Sequence, residues 1–348
     1  MPKRFEGLVG LRGIGATMII AYHMYVLNGY VGTNTFLDRT VGIGGVFVTL
    51  FFILSSFSLM CGYAEKIRQN DFEWGQFYKN RFIKLAPTFY TALILHLLLN
   101  VCAHVKEPMA NIIGTASLLY ALMPSNQESI VMAGWALGIE IIFYLIFPAF
   151  FELTKTRLHA ILTLLGSLLL FFSYNSYYGV GILNNHINII RQLLPFAIGA
   201  ALYYCIPFMT HVKKSIRMYI AFILRFILLI LFVGWDKFFQ NQLMIYVAFS
   251  ITILNQIQYN DVLTMNRLMQ ALGKISYEMY LFHMIIYRIL YYLNVIDLLN
   301  SVIHSKVISY MAFLFIELLF TILFSYFYKS IFLIIRKKLA KRPKMHKG

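Results

Sequence analysis

Arg12 and His23 stand eleven residues apart in the otherwise apolar run LRGIGATMIIAYHMYV, residues 11–26. On an α-helix eleven residues turn through about 1100°, within roughly 20° of whole turns, and rise about 16 Å. The two side chains therefore share one helix face at different depths of a bilayer. An imidazole takes and returns a proton near neutrality, whereas a guanidinium grips phosphate or carboxylate groups. Ionisable groups at membrane depth are costly, so they usually face a cavity or a partner. The plainer alternative has Arg12 reaching lipid phosphate and His23 hydrogen-bonded in a packed core.

A partner for His23 is available in WALGIEIIFYLIFP, residues 135–148, where Glu140 is expected near the same depth. A carboxylate beside the ring would orient it and stabilise the imidazolium. The alternative is a Glu140 that is protonated or paired elsewhere in the bundle. A second cluster is FYKNRFIKLAPTFY, residues 77–90, in which Arg81 and Lys84 are three apart and so share a helix face. They either flank a span on its cytoplasmic side or, with Arg12, form a cationic pocket for the phosphates of a cytoplasmic ligand. Arg288 and Glu317, midway in adjacent predicted spans, are expected to form a structural ion pair. Arg225 reaches toward lipid phosphate or pairs with an acid. His283 is expected nearer the cytoplasmic side and is a weak candidate for acting with His23.

These residues need a membrane scaffold to hold them. The chain has 348 residues, 60% hydrophobic and 13% charged, with a mean hydropathy of +0.70, far more apolar than a soluble domain. Apolar runs long enough to span fall near 8–28, 42–63, 84–103, 133–151, 158–174, 192–208, 218–235, 243–257, 278–296 and 307–328. The run at 109–123 is short and broken by Gly114. If it does not cross, 22 lysines and arginines lie in cytoplasmic segments and five outside; if it crosses, the basic C-terminal segment faces outward, against the positive-inside tendency. The expectation is an all-α polytopic membrane protein of about ten transmembrane helices, with cytoplasmic N- and C-termini and one re-entrant or short helix near 109–123. It forms one integral domain over 1–335, followed by a basic cytoplasmic tail at 336–348.

Several classes are disfavoured by composition. The first segment follows Lys3 and Arg4 but has no small-x-small cleavage site, so a retained helix is expected. Cys61, Cys102 and Cys205 lack metal spacing, and no metal site is expected. The net charge of +16 is assigned to cytoplasmic loops meeting anionic lipid headgroups. Basic residues flank spans, and the 55 Phe and Tyr suit lipid-facing positions, which argues against nucleic acid. GLRGIG and GIGGVF lack the strand-turn-helix setting of a phosphate loop.

The ordered set of Arg12 with His23, FFILSSFSLM at 51–60, NRFIKLAP at 80–87, WALGIEIIFYLIFP at 135–148, LLPFAIGAALYY at 193–204 and ISYEMYLFHM at 275–284 resembles the acyltransferase-3 family, integral membrane O-acyltransferases that mostly acetylate cell-surface glycans. The resemblance implies a ten-span fold with acyl-CoA, most simply acetyl-CoA, entering from the cytoplasm. The acceptor, a hydroxyl of a surface or lipid-linked glycan, would enter from the other face. It implies that His23 is the essential histidine and Arg12 its paired arginine. Arg81 and Lys84 would be the basic motif holding acyl-CoA, Trp135 a substrate-binding residue, and Glu140 the acidic partner. Departures are Lys84 in place of the usual arginine, Ser56 in place of glycine, Gly138 in place of serine and Phe282 in place of tryptophan. A multi-pass protein of a bacterial cytoplasmic (inner) membrane follows, with membrane lipids as partners and a homodimer among the assemblies allowed. The rival class is a transporter or flippase of a lipid-linked saccharide, its buried charges lining a translocation path.

Overall fold

A computed structural model describes residues 5–122, 129–178, 188–211, 242–258 and 262–340, with a few isolated positions between 213 and 223. In a bilayer every backbone N–H and C=O must be satisfied within its own segment, and apolar runs of membrane length therefore coil into helices. Among the described residues all regular structure is helical. In chain order the helices are α1 (Glu6–Leu27), α2 (Thr35–Thr40), α3 (Phe47–Arg68), α4 (Trp74–Cys102), α5 (Met109–Ser117), α6 (Trp135–Glu152) and α7 (Arg157–Tyr178). There follow α8 (Ile189–Tyr203), α9 (Ile206–His211), α10 (Gln242–Gln258), α11 (Val262–Met265), α12 (Arg267–Tyr292), α13 (Val295–Val302) and α14 (Lys306–Ala340).

Among the described residues six helical stretches are long and apolar enough to cross a membrane, or seven if α12 and α13, bent by 62° at their junction, count as one. Helix α1 is not among the six, because its polar residues dilute the apolar run, and α10 is short. The predicted span at 218–235 lies outside the described residues. The segment near 109–123 is the nine-residue α5 followed by a single 3-10 turn at Tyr120–Leu122, too short to span. Helix α14 runs unbroken to Ala340, past the domain boundary expected at 335.

The span containing α3 and the span formed by α6 are 61% and 56% buried, against 17% for α7, which places α3 and α6 in the interior and α7 at the lipid-facing rim. The aromatic core between α3, α4, α6 and α8 includes Phe52, Phe89, Phe143 and Phe196, with Phe143 and Phe196 stacked at 3.7 Å. Helix α1 packs along α12 at unusually close range. A methyl group on Gly273 would lie 1.8 Å from the Val9 carbonyl oxygen, and one on Gly13 would lie 2.6 Å from that of Met269. Only glycine admits backbones this near. The Val9–Gly273 contact near one end and the His23–His283 contact farther along show that α1 and α12 run parallel.

Candidate active site

Three cations converge from α1 and α4. Arg12 donates from Nη2 to the Ser58 hydroxyl on α3 at 3.0 Å. Arg81 donates from Nη2 to the Tyr63 hydroxyl at 2.6 Å, and its guanidinium carbon lies 5.3 to 5.5 Å from the ring centres of Tyr63, Phe77 and Tyr144. This aromatic cage holds a charge in the protein interior through ring quadrupoles. The Nε of Arg81 is buried without a partner, and among the described residues Arg81 makes no ion pair with an acid. Lys84, three residues on from Arg81 along α4, keeps an exposed side chain. It lies in the electrostatic field of Arg12, Arg81, Glu140 and Lys329.

Glu140 belongs to this cationic end. Its carboxylate accepts from the Ser55 hydroxyl at 2.7 Å and, at short range, from the Tyr144 hydroxyl one turn along α6. Ser55 and Ser58 are three apart on α3, about 4.5 Å of rise, so Glu140 meets α3 one turn from Arg12. His23 is eleven residues from Arg12 on α1, about 16 Å away along the axis. The expected Glu140–His23 pair is therefore not formed: the carboxylate is turned to α3 and offsets part of the cationic charge. With one acid among Arg12, Arg81 and Lys84, the cluster carries a surplus of two positive charges.

His23 instead meets a second imidazole. Its Nδ1 lies 3.1 Å from Nε2 of His283 on α12, and Nδ1 of His283 lies 2.7 Å from the Tyr280 carbonyl oxygen. His283 sits deeper than the sequence suggested because α12 begins at Arg267, eleven residues before the predicted start of the span. It is thus sixteen residues into its helix, and His23 is seventeen into the parallel α1.

The first turn of α6, which carries Trp135, is fixed by two tyrosines. The Tyr280 hydroxyl donates to the Ala133 carbonyl at short range. The Tyr120 hydroxyl donates to the Gly134 carbonyl and accepts from the Gly138 N–H at 3.0 Å, so a phenol is inserted into the backbone ladder. A methyl on Gly138 would meet the Tyr120 ring at 2.6 Å, which is why glycine stands at this position. Trp135 packs edge-on against Phe52 at 6.0 Å.

Arg12, His23, Arg81, Trp135 and Glu140 all keep some accessible surface, as Lys84 does. Between Arg12 and His23, the α1 face itself is closed, with Ala16 and Ile19 fully buried. Facing residues are more open: Phe51, Tyr277 and Tyr280 retain accessible surface. Tyr277 donates to the Leu85 carbonyl beside Lys84 at 2.8 Å, and Tyr280 and His283 follow at three-residue steps on one face of α12. This stripe leads from the cations to the imidazoles.

The expected Arg288–Glu317 ion pair is also replaced. Arg288 points to His96 Nδ1 at 3.4 Å and to the Tyr292 hydroxyl at 3.4 Å, whereas Glu317 accepts from Thr321 at 2.9 Å and its second oxygen is buried without a partner. Arg225 lies outside the described residues. Nothing in the sequence distinguishes Tyr63 and Tyr120 among 24 tyrosines; Tyr144 alone carried a signal, four residues from Glu140.

A protein named "Protein 2 in picA locus" from Rhizobium radiobacter is 30% identical over 128 residues, covering 35% of this chain and 62% of that relative, just under two thirds of its length. No solved structure matches. The model of the acyltransferase-3 family, described as an acyltransferase domain, matches residues 5–330. With helices apolar enough for several membrane crossings and a match over nearly its whole length, the chain is a multi-pass membrane protein that belongs to the acyltransferase-3 family.

Proposed function

We propose that the protein transfers an acyl group, in the first instance acetyl, from cytoplasmic acyl-CoA to a hydroxyl of a cell-surface or lipid-linked glycan, with His23 as general base. The observation that carries this reading is the cluster of Arg12, Arg81 and Lys84, a surplus of positive charge with one orphaned donor and an accessible ammonium. A polyanion such as the diphosphate and phosphate of coenzyme A satisfies it. The pantetheine arm then lies along Phe51, Tyr277 and Tyr280, and six residues of α12 from Tyr277 to His283 give about 9 Å of reach toward His23. Such a tether carries the thioester toward the outer half of the bilayer while the charged head stays on the inner side.

At the far end His23 accepts the glycan hydroxyl proton as the oxygen attacks the thioester carbon. The C–O bond forms, the C–S bond breaks, and the imidazolium returns the proton to the departing thiolate. Glu140 neutralises part of the cationic cluster and holds its geometry through Ser55 and Tyr144. Trp135 stands near the imidazole end as a wall for the acceptor. The same reading takes ten spans, both termini in the cytoplasm and a bacterial inner membrane, consistent with the basic residues of the cytoplasmic segments.

The test is chemical. Purified protein in liposomes, given radiolabelled acetyl-CoA and a crude surface-glycan acceptor, should yield labelled ester, and His23→Ala should lose about 10²-fold or more of it while still inserting. Undiminished transfer by correctly inserted His23→Ala, or movement of a saccharide across the bilayer without labelling, would refute it.

A further inference from the structure

His283 has no role in the chemistry above, yet it is fully buried in a membrane helix and sits against the proposed base. Its hydrogen bonds fix the protons by elimination. A carbonyl oxygen only accepts, so the 2.7 Å contact with Tyr280 requires the proton of a neutral His283 to be on Nδ1. Its Nε2 is then a lone pair. The 3.1 Å contact therefore requires His23 to donate from Nδ1. A neutral His23 held in this way has its lone pair on Nε2, the ring atom remote from the His283 contact.

Resting on the acyl-transfer reading, we propose that His283 is a positioning residue that locks His23 in the tautomer with a basic Nε2, the Tyr280 backbone carbonyl serving as the terminal acceptor of the relay. The arrangement performs with a second imidazole what a carboxylate does in a serine hydrolase triad, where the group behind the histidine sets its tautomer and orientation. A neutral second imidazole does this without placing another charge beside the base in the apolar interior. The two rings are 5.0 Å apart at their centres and tilted by 39°, so the contact runs through ring edges, as a hydrogen bond requires. Their approach depends on the close glycine contacts that let α12 lie against α1.

The test compares His283→Gln, whose amide oxygen can replace the Nε2 acceptor, with His283→Phe, which fills the ring volume and accepts nothing. In liposomes with labelled acetyl-CoA, His283→Phe should lose about 10²-fold or more in kcat with KM for acetyl-CoA within about twofold. His283→Gln should remain within about tenfold of the native rate. Equal losses in the two variants, or a native rate in His283→Phe, would overturn the proposal. A measurement on the native protein covers the case in which a variant does not fold: alkylation with iodoacetamide, isolation of the peptide that carries His23, then hydrolysis and chromatography against the two carboxymethylhistidine isomers should place the carboxymethyl group of His23 on Nε2. Modification on Nδ1 would overturn the assignment. Absence of any labelled ester from the native protein would strike the acyl-transfer reading instead, and the alkylation result would still decide the tautomer.

Discussion

Replacing Gly273 with alanine probes the helix contact that brings the two imidazoles together. The added methyl would lie 1.8 Å from the Val9 carbonyl oxygen and 2.6 Å from its carbon. Carbon and oxygen settle at about 3.3 Å or more, so α1 and α12 must part there by about 1.5 Å. The obstacle is backbone, and no rotamer change relieves it. Overpacking of this kind costs about 1–3 kcal/mol. The His23–His283 contact is 3.1 Å; half of the displacement carried along two stiff helices would lengthen it to about 3.9 Å, beyond hydrogen-bond range. Gly62 in α3 and Gly166 in α7 are internal controls, because a methyl there meets nothing within 4 Å, and alanine in an unobstructed helix is worth up to about 1 kcal/mol. Thermal unfolding of the detergent-solubilised variants, with acyl transfer in liposomes below the transition, reads both effects. Gly273→Ala should unfold at lower temperature than native protein and lose about tenfold or more in transfer, while Gly62→Ala and Gly166→Ala unfold no lower. Native unfolding and native transfer in Gly273→Ala would show that the contact does not hold the site.

Other perturbations separate the parts of the site. Arg81→Lys keeps the charge but loses the planar fork and most of its contact with the three rings, so KM for acetyl-CoA should rise by about tenfold or more with kcat little changed; a fall in kcat alone would contradict the assignment. Glu140→Gln removes the acid from the cationic cluster, so saturating acetyl-CoA should raise its unfolding temperature by more than it raises that of native protein; an equal or smaller shift would count against the polyanion site. Gly138→Ser should drive the Tyr120 ring out of the first turn of α6 and cost about 1–3 kcal/mol in thermal unfolding; native stability would show that the phenol insertion is dispensable. Glu317→Gln should leave stability unchanged or raised, because the native carboxyl has an unpartnered oxygen; a loss of several kcal/mol would restore the ion pair with Arg288.

The membrane class and helical character were legible in one dimension. Apolar runs of membrane length permit little but helices, and the family motifs lie in order along the chain. Charge type and spacing also sufficed to single out Arg12 with His23 and Arg81 with Lys84, because helical periodicity is a local property. Depth was less legible. Hydropathy marks where a run becomes apolar, not where a helix starts, and α12 begins at Arg267 with polar residues that a span prediction discards. That misplaced His283 toward the cytoplasm and hid it as the neighbour of His23.

Sequence by itself determined what kinds of group lie inside the bilayer and which share a face of one helix. Tertiary structure decided which of them meet. Glu140 could have oriented the imidazole or tempered the cations, and the choice rests on the rotation of α6 against α3, where Ser55 receives it. His23 found its partner through the register of α1 on α12, set by Val9 against Gly273. Rotation and register are properties of pairs of helices, fixed by side-chain volumes on both surfaces at once, and no single segment encodes them.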